Sequence, residues 1–232
     1  MGVKSIKPRV HILMVGQTLP AIRERFGDFD SWFQERSGIN ADFSVHRLLN
    51  GHTLPDPSDS DGWIITGSPG SVNDDLPWLR KVIDGVGRSV KDGHPILGVC
   101  FGHQLLAVAT GGQVGLNPKG WELGSATIVL TDSGAESTLF QGLARRLSVF
   151  QSHQEVVTNL PPGAKILAVN EMGIQAFQIN RFSFGVQFHP EFTQSIARMY
   201  AQLRSVAGIS ISQILPNNSY QVLPNFINSL TL

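Results

Sequence analysis

The chain has 232 residues, 41% of them hydrophobic, which is enough apolar material for one large domain with its own core. Its 18 Lys and Arg balance 18 Asp and Glu, so there is no basic surplus to neutralise a phosphate backbone, and nucleic acid is excluded as the expected partner. No apolar run reaches the roughly 18 residues of a membrane span, and residues 1–9 lack the apolar centre of a secretion signal, so a cytoplasmic protein away from the membrane is expected. The single cysteine rules out an intrachain disulfide and any multi-cysteine metal site.

Short β-rich runs alternate with amphipathic stretches. Residues 9–16 (RVHILMVG) read as the first strand, and 21–38 as a helix with Phe26, Phe29, Trp32 and Phe33 near helical spacing. Residues 43–48 alternate like a second strand. The run 62–67 (GWIITG) is apolar throughout, as a strand covered on both faces would be. Pro77 suits the first turn of a helix that carries Leu79, Val82, Ile83 and Val86 and stops near Gly93. Residues 95–99 form another buried strand, and 102–110 a helix closed by Gly111 and Gly112.

After residue 126 the texture changes to short strands at 126–131, 147–151, 165–170, 174–179 and 184–188, followed by a helix over 193–206. The expected fold is α/β, a flavodoxin- or Rossmann-like mainly parallel sheet flanked by helices, with an antiparallel or mixed β extension. Residues 1–207 form the catalytic domain on this reading. Residues 208–232, with Pro216, Asn217, Asn218, Pro224 and Asn225, show no clear periodicity and read as a C-terminal tail on the surface.

The most informative stretch is 95–106, PILGVCFGHQLL, where a buried strand runs into Gly-x-Cys-x-Gly and a helix follows at once. Glycines flanking Cys100 permit a tight strand-to-helix turn that exposes its side chain at the strand's carboxyl end, a nucleophile elbow with sulfur in place of oxygen. Cys100 then stands at a helix N-terminus, where the dipole and free N–H groups stabilise negative charge. The backbone N–H of Phe101 would face an oxyanion formed beside the sulfur. A lone cysteine is more often a buried hydrophobe; the two glycines, the strand before and the helix after reverse that reading here.

Residues 184–192, FGVQFHPEF, supply the second element. A strand ends at His189, Pro190 ends sheet pairing, and Glu191 stands two residues on, within reach of the imidazole. A catalytic imidazole needs such a partner to fix its tautomer and stabilise its charged form. Alone, the triplet reads as readily as a solvated surface loop. Among the seven histidines no pair has metal-ligand spacing, so no metal or other cofactor is expected.

These motifs, with 98–104 (GVCFGHQ) before 185–191 (GVQFHPE), resemble those of the class I glutamine amidotransferase family over residues 9–205. The resemblance implies a Cys100, His189, Glu191 triad acting on the γ-amide of a small-molecule γ-glutamyl substrate. It also implies an oxyanion hole at 66–72 (TGSPGSV), where the commoner form is Gly-Gly-Pro, so that Gly67 or Ser68 joins Phe101 as N–H donor. Gln104 matches a contact to the amino-acid end of the substrate, and Gln151, Ser152 and His153 match a loop whose backbone contacts its α-carboxylate and amino group. Residues 119–124 (KGWELG) resemble a segment of stand-alone, GMP-synthase-like members, in which Glu122 meets the α-amino group or is merely a solvated turn residue.

No synthetase motif accompanies the domain. The expectation is therefore a hydrolase that releases glutamate and ammonia or an amine through a γ-glutamyl thioester, or a glutaminase subunit serving a separate synthase. A non-catalytic regulatory subunit of the same fold is the remoter reading. A cysteine variant of the α/β-hydrolase fold would carry its acid between nucleophile and histidine, whereas Glu191 follows His189.

Overall fold

The computed structural model describes residues 7–50, 52–204 and 214–231. Its strands are β1 (Arg9–Met14), β2 (Asp42–Arg47), β3 (Gly62–Ile65), β4 (Ile96–Val99), β5 (Gln113–Leu116), β6 (Glu122–Leu130), β7 (Arg146–His153), β8 (Glu155–Asn159), β9 (Lys165–Asn170), β10 (Gly173–Gln178) and β11 (Ser183–Val186). The helices are α1 (Pro20–Phe26), α2 (Phe29–Ser37), α3 (Pro77–Lys91), α4 (Phe101–Ala109), α5 (Asp132–Glu136), α6 (Gln194–Arg204) and α7 (Val222–Ser229).

Nine strands form one sheet in the order β2-β1-β3-β4-β11-β10-β9-β6-β7. From β2 to β11 every pairing is parallel. From β11 to β7 every pairing is antiparallel, which is the expected mixed extension. β5 and β8 pair separately, antiparallel; their sequences do not announce them, because both are short and half-exposed.

All four residues of β3 and of β4 are buried, because helices cover both faces of the parallel half. Successive side chains point to opposite faces. Ile12, Ile64 and Leu97 therefore enter one apolar cluster with residues of α2, α6 and α7, and Leu13, Ile65 and Ile96 enter another with α3 and α4. In α3, Pro77 opens the first turn, Leu79, Val82 and Val86 are buried, and the chain turns at Gly93 with φ +82°.

Two expectations need correction. The helix read over 21–38 is two helices, because Gly27 adopts φ +78° and Asp28 caps α2 by accepting the Phe29 N–H at 2.9 Å. The Asp28 carboxylate also accepts the Thr18 N–H at 2.9 Å, tying the break to the segment between β1 and α1. The segment read as a surface tail is, over its described residues 214–231, part of the core. Val222, Leu223, Phe226 and Ile227 of α7 are buried against α2 and the sheet. Pro224 does not break α7, since it lies in the first turn, where backbone N–H groups have no helical acceptor.

Candidate active site

β4 ends at Val99 and α4 begins at Phe101, so Cys100 makes the whole turn between them. Its φ of 52° and ψ of −102° are unique: among the described residues no other non-glycine has positive φ. The flanking glycines are required sterically. A methyl group on Gly98 would lie 2.3 Å from the Gly102 carbonyl oxygen, and one on Gly102 would lie 2.3 Å from the Ile65 carbonyl oxygen. The elbow is pinned by Cys100 N–H donating to the Val186 carbonyl at 2.9 Å and Gly102 N–H to the Thr66 carbonyl at 3.2 Å. The strain in Cys100 is held by the sheet on one side and the helix on the other.

The chain leaves β11, crosses the sheet and is held where His189 N–H donates to the Phe150 carbonyl of β7 at 2.8 Å. His189 Nδ1 lies 2.8 Å from Glu191 Oε1, with both side chains buried. With Nδ1 on the carboxylate, Nε2 is left for the Cys100 sulfur, whose presence favours the charged ring. Burial works against charge on the imidazole. The Glu191 carboxylate and the Cys100 sulfur outweigh it and raise its pKa to about 10. An imidazolium held between sulfur and carboxylate can stabilise a thiolate and protonate a leaving group.

The ring's faces are also controlled. Phe192 stacks on His189 at 4.0 Å and 12°, and Tyr200 stacks on Phe192 at 4.8 Å. Tyr200 is anchored by its hydroxyl to Thr18 Oγ1 at 2.6 Å. On the ring's edge a methyl added to Gly67 would come within 3.2 Å of His189 Cε1, so Gly67 provides room for the base as well as backbone for the expected oxyanion hole.

A cleft of about 260 Å³ opens at Cys100 and brings together Ser68, Gln104, Ser152 and His153. At N1 of α4 the Phe101 N–H has no intrahelical acceptor and is free to serve an oxyanion. Gln104 Nε2 and His153 Nδ1 both meet the Glu155 carbonyl, at 2.8 and 3.0 Å, so one backbone oxygen locks the two side chains together. Gln151 and Glu122 are not in the cleft. Gln151 Nε2 turns inward to Gln175 Oε1 at 2.6 Å. Glu122 lies behind His153, where its Oε2 takes His153 Nε2 at 3.0 Å and Gln175 Nε2 at 2.9 Å. Glu122 is thus buried rather than a solvated turn residue, and it supports the histidine that lines the cleft.

Sequence reasoning did not single out Leu116, Trp121, Gln154, Glu155 or Arg204 of the same cleft. Trp121 adjoins Glu122, and strand alternation sends neighbours to opposite sides, which was the available signal. Arg204 sits at the end of α6, over a hundred positions from Cys100, and nothing local marks it. Among the described residues no three His, Cys, Asp or Glu side chains are gathered as a metal site, and no helix is long and apolar enough to cross a membrane.

The chain is similar to several known proteins. A glutamine amidotransferase-like protein of Schizosaccharomyces pombe is 37% identical over 137 residues, 57% of this chain and 53% of that protein, so the match spans about half of the relative. Gamma-glutamyl peptidase 4 of Arabidopsis thaliana is 30% identical over 181 residues, 75% of this chain and 72% of its own. A glutamine-hydrolyzing GMP synthase subunit of Ignicoccus hospitalis is 36% identical over 139 residues, 59% and 70% of the two chains. The crystal structure of a glutamine amidotransferase from Methylobacillus flagellatus superposes with a TM-score of 0.72 over 97% of this chain and 95% of that one, at 23% identity, a likeness of fold. The model of the family described as "Glutamine amidotransferase class-I" matches residues 31–202, which include Cys100, His189 and Glu191. On that match the chain belongs to the class I glutamine amidotransferase family.

Proposed function

We propose that this protein is a cysteine hydrolase that cleaves the γ-glutamyl amide bond of an N-substituted γ-glutamyl amide or peptide. The observation that carries the proposal is the strained Cys100 elbow beside a buried His189–Glu191 pair at 2.8 Å. The Cys100 thiolate adds to the γ-carbonyl carbon, forming the S–C bond, while the oxyanion rests on backbone N–H groups of Phe101 and of Gly67 or Ser68. As the C–N bond breaks, the His189 imidazolium gives its proton to the departing nitrogen. The neutral His189 then takes a proton from water, whose oxygen attacks the thioester, and glutamate leaves as the thiolate is regenerated. Glu191 holds the imidazole in the productive tautomer throughout.

Trapping tests this directly. Hydroxylamine added during turnover should divert the acyl group to γ-glutamyl hydroxamate, and acid quench should leave a γ-glutamyl adduct on Cys100. Substrate consumption without either product would overturn the covalent route.

A second reading is favoured by one feature. Residues 68–71 separate the Cys100 cleft from an apolar hollow of about 390 Å³, lined in part by Leu49, Leu76 and Trp78. Such a hollow beside the oxyanion strand suits a docked partner, and the similarity to the GMP synthase component of Ignicoccus hospitalis supports a glutaminase that delivers ammonia to a separate synthase. Turnover confined to glutamine and accelerated by an added synthase would select this reading over the first.

A further inference from the structure

Another part of the lining of the Cys100 cleft has different chemistry. Arg204, at the end of α6, places its guanidinium carbon 4.8 Å over the Trp121 ring, a cation–π distance that fixes the orientation of the planar group. Both residues line the cleft with Cys100, and Arg204 is its only Lys or Arg among the described residues. Arg204 Nε is buried with no hydrogen-bond partner. Every Asp and Glu of the chain lies within the described residues, and none forms an ion pair with Arg204. Glu155, the carboxylate in the cleft's lining, is instead engaged by Ser71 Oγ at 2.8 Å.

A guanidinium without an internal counter-ion, oriented on an aromatic face and lining the same cleft as a reactive sulfur, is a carboxylate receptor. We propose that Arg204 determines specificity by receiving a carboxylate on the leaving group, so that the preferred substrates are γ-glutamyl amino acids or short γ-glutamyl peptides whose free carboxylate lies near the scissile bond. The assignment rests on the hydrolase reading above and narrows it. The γ-glutamyl half has its own polar wall, since Gln104 and His153 are locked together through the Glu155 carbonyl. The Arg204 side is built separately, with Trp121 and the 66% exposed Leu116 providing apolar surface for the side chain of a leaving residue. Glutamine, whose leaving group is ammonia, reaches none of it.

The test is a matched pair, γ-glutamyl-alanine and γ-glutamyl-alaninamide, which differ only in the carboxylate. The wild type should favour the acid in kcat/KM by about 10-fold or more, the usual worth of a charge-assisted hydrogen bond. That ratio should collapse toward one in Arg204→Met, recover in part in Arg204→Lys, and shrink in Trp121→Leu, which removes the platform. A wild-type ratio near one overturns the proposal. So does a ratio unchanged in Arg204→Met, because the arginine would then serve the half that both substrates share. Either result leaves hydrolysis itself standing. Failure to turn over either compound, with no adduct on Cys100, instead defeats the hydrolase reading and this proposal with it.

Discussion

Glu122 and His153 face each other across β6 and β7, and Glu122 Oε2 meets His153 Nε2 at 3.0 Å. The other ring nitrogen faces the Glu155 carbonyl, so both nitrogens of a cleft-lining histidine point at oxygen atoms. Asn170 and Gln175 complete the carboxylate's partners.

Glu122→Gln should therefore disturb the cleft from behind. The new amide NH₂ would face the donors of Asn170 or Gln175, leaving a buried group unsatisfied at a cost of about 1–3 kcal/mol. A lower Tm, with KM raised several-fold and kcat less affected, is expected. Unchanged Tm and KM would mean that His153 does not depend on its carboxylate.

The strain at Cys100 predicts an inverted order of stability between two inactive variants. Cys100→Ala and Cys100→Gly should both abolish turnover. Glycine accepts φ 52° and ψ −102° without a Cβ clash, whereas alanine does not. Cys100→Gly should be the more stable by about 1 kcal/mol in chemical denaturation, although glycine elsewhere usually costs stability relative to alanine. Alanine proving equal or better would show that the turn is relaxed.

His189→Ala should cost nearly as much activity as loss of Cys100, and Glu191→Gln less, because members of one catalytic unit are not additive. A glutamine-analogue electrophile labels only Cys100, the single thiol. Its labelling rate and pH dependence should change in His189→Ala; an identical profile would separate the two residues.

Gly67→Ala tests the space beside the base. The added methyl would press on His189 Cε1 at 3.2 Å and on the Phe29 ring at 3.3 Å, closer than ordinary contact. A small shift of the imidazole away from sulfur should lower kcat by about 10-fold or more, with a modest change in Tm. Full activity would show that the ring moves freely.

The parts of the site legible in the sequence are those whose constraint is local. Gly98 and Gly102 are demanded by backbone atoms a few ångströms away, and the His189–Glu191 contact spans two positions, so short motifs record both. Whether Glu122 is a solvated turn residue was not legible locally, because its burial depends on β6 starting at 122 and pairing Glu122 with His153, a register set by distant residues. α7 was missed because Pro224 and the asparagines masked the spacing of Val222, Leu223, Phe226 and Ile227, which only a partner surface on α2 turns into a buried face. Arg204 reaches the cleft solely through the packing of α6, which no motif encodes.

The last prediction concerns acid. His94 precedes β4, and the rings of His11 on β1 and His46 on β2 lie 4.5 Å apart, tilted by 48°. Burial lowers the pKa of all three, His94 to about 4, helped by repulsion from His46 on His11 and from His11 on His94. Arg9 opposes charge on His11 and His52 opposes it on His46, while Asp59 and Asp61 only partly compensate. His103, sealed under the elbow, is lowered by burial to about 3. In each case the unfolded chain binds more protons than the folded one between the folded pKa and the ordinary value near 6.5. The contribution of these four histidines is therefore fully present above about pH 6.5 and is lost as pH falls toward about 4. Melting curves from about pH 7 to about pH 4.5 should show Tm dropping steadily, and His94→Gln should flatten the drop without depending on the active site. A Tm constant across that range would mean that these histidines are hydrated in solution and carry no burial penalty.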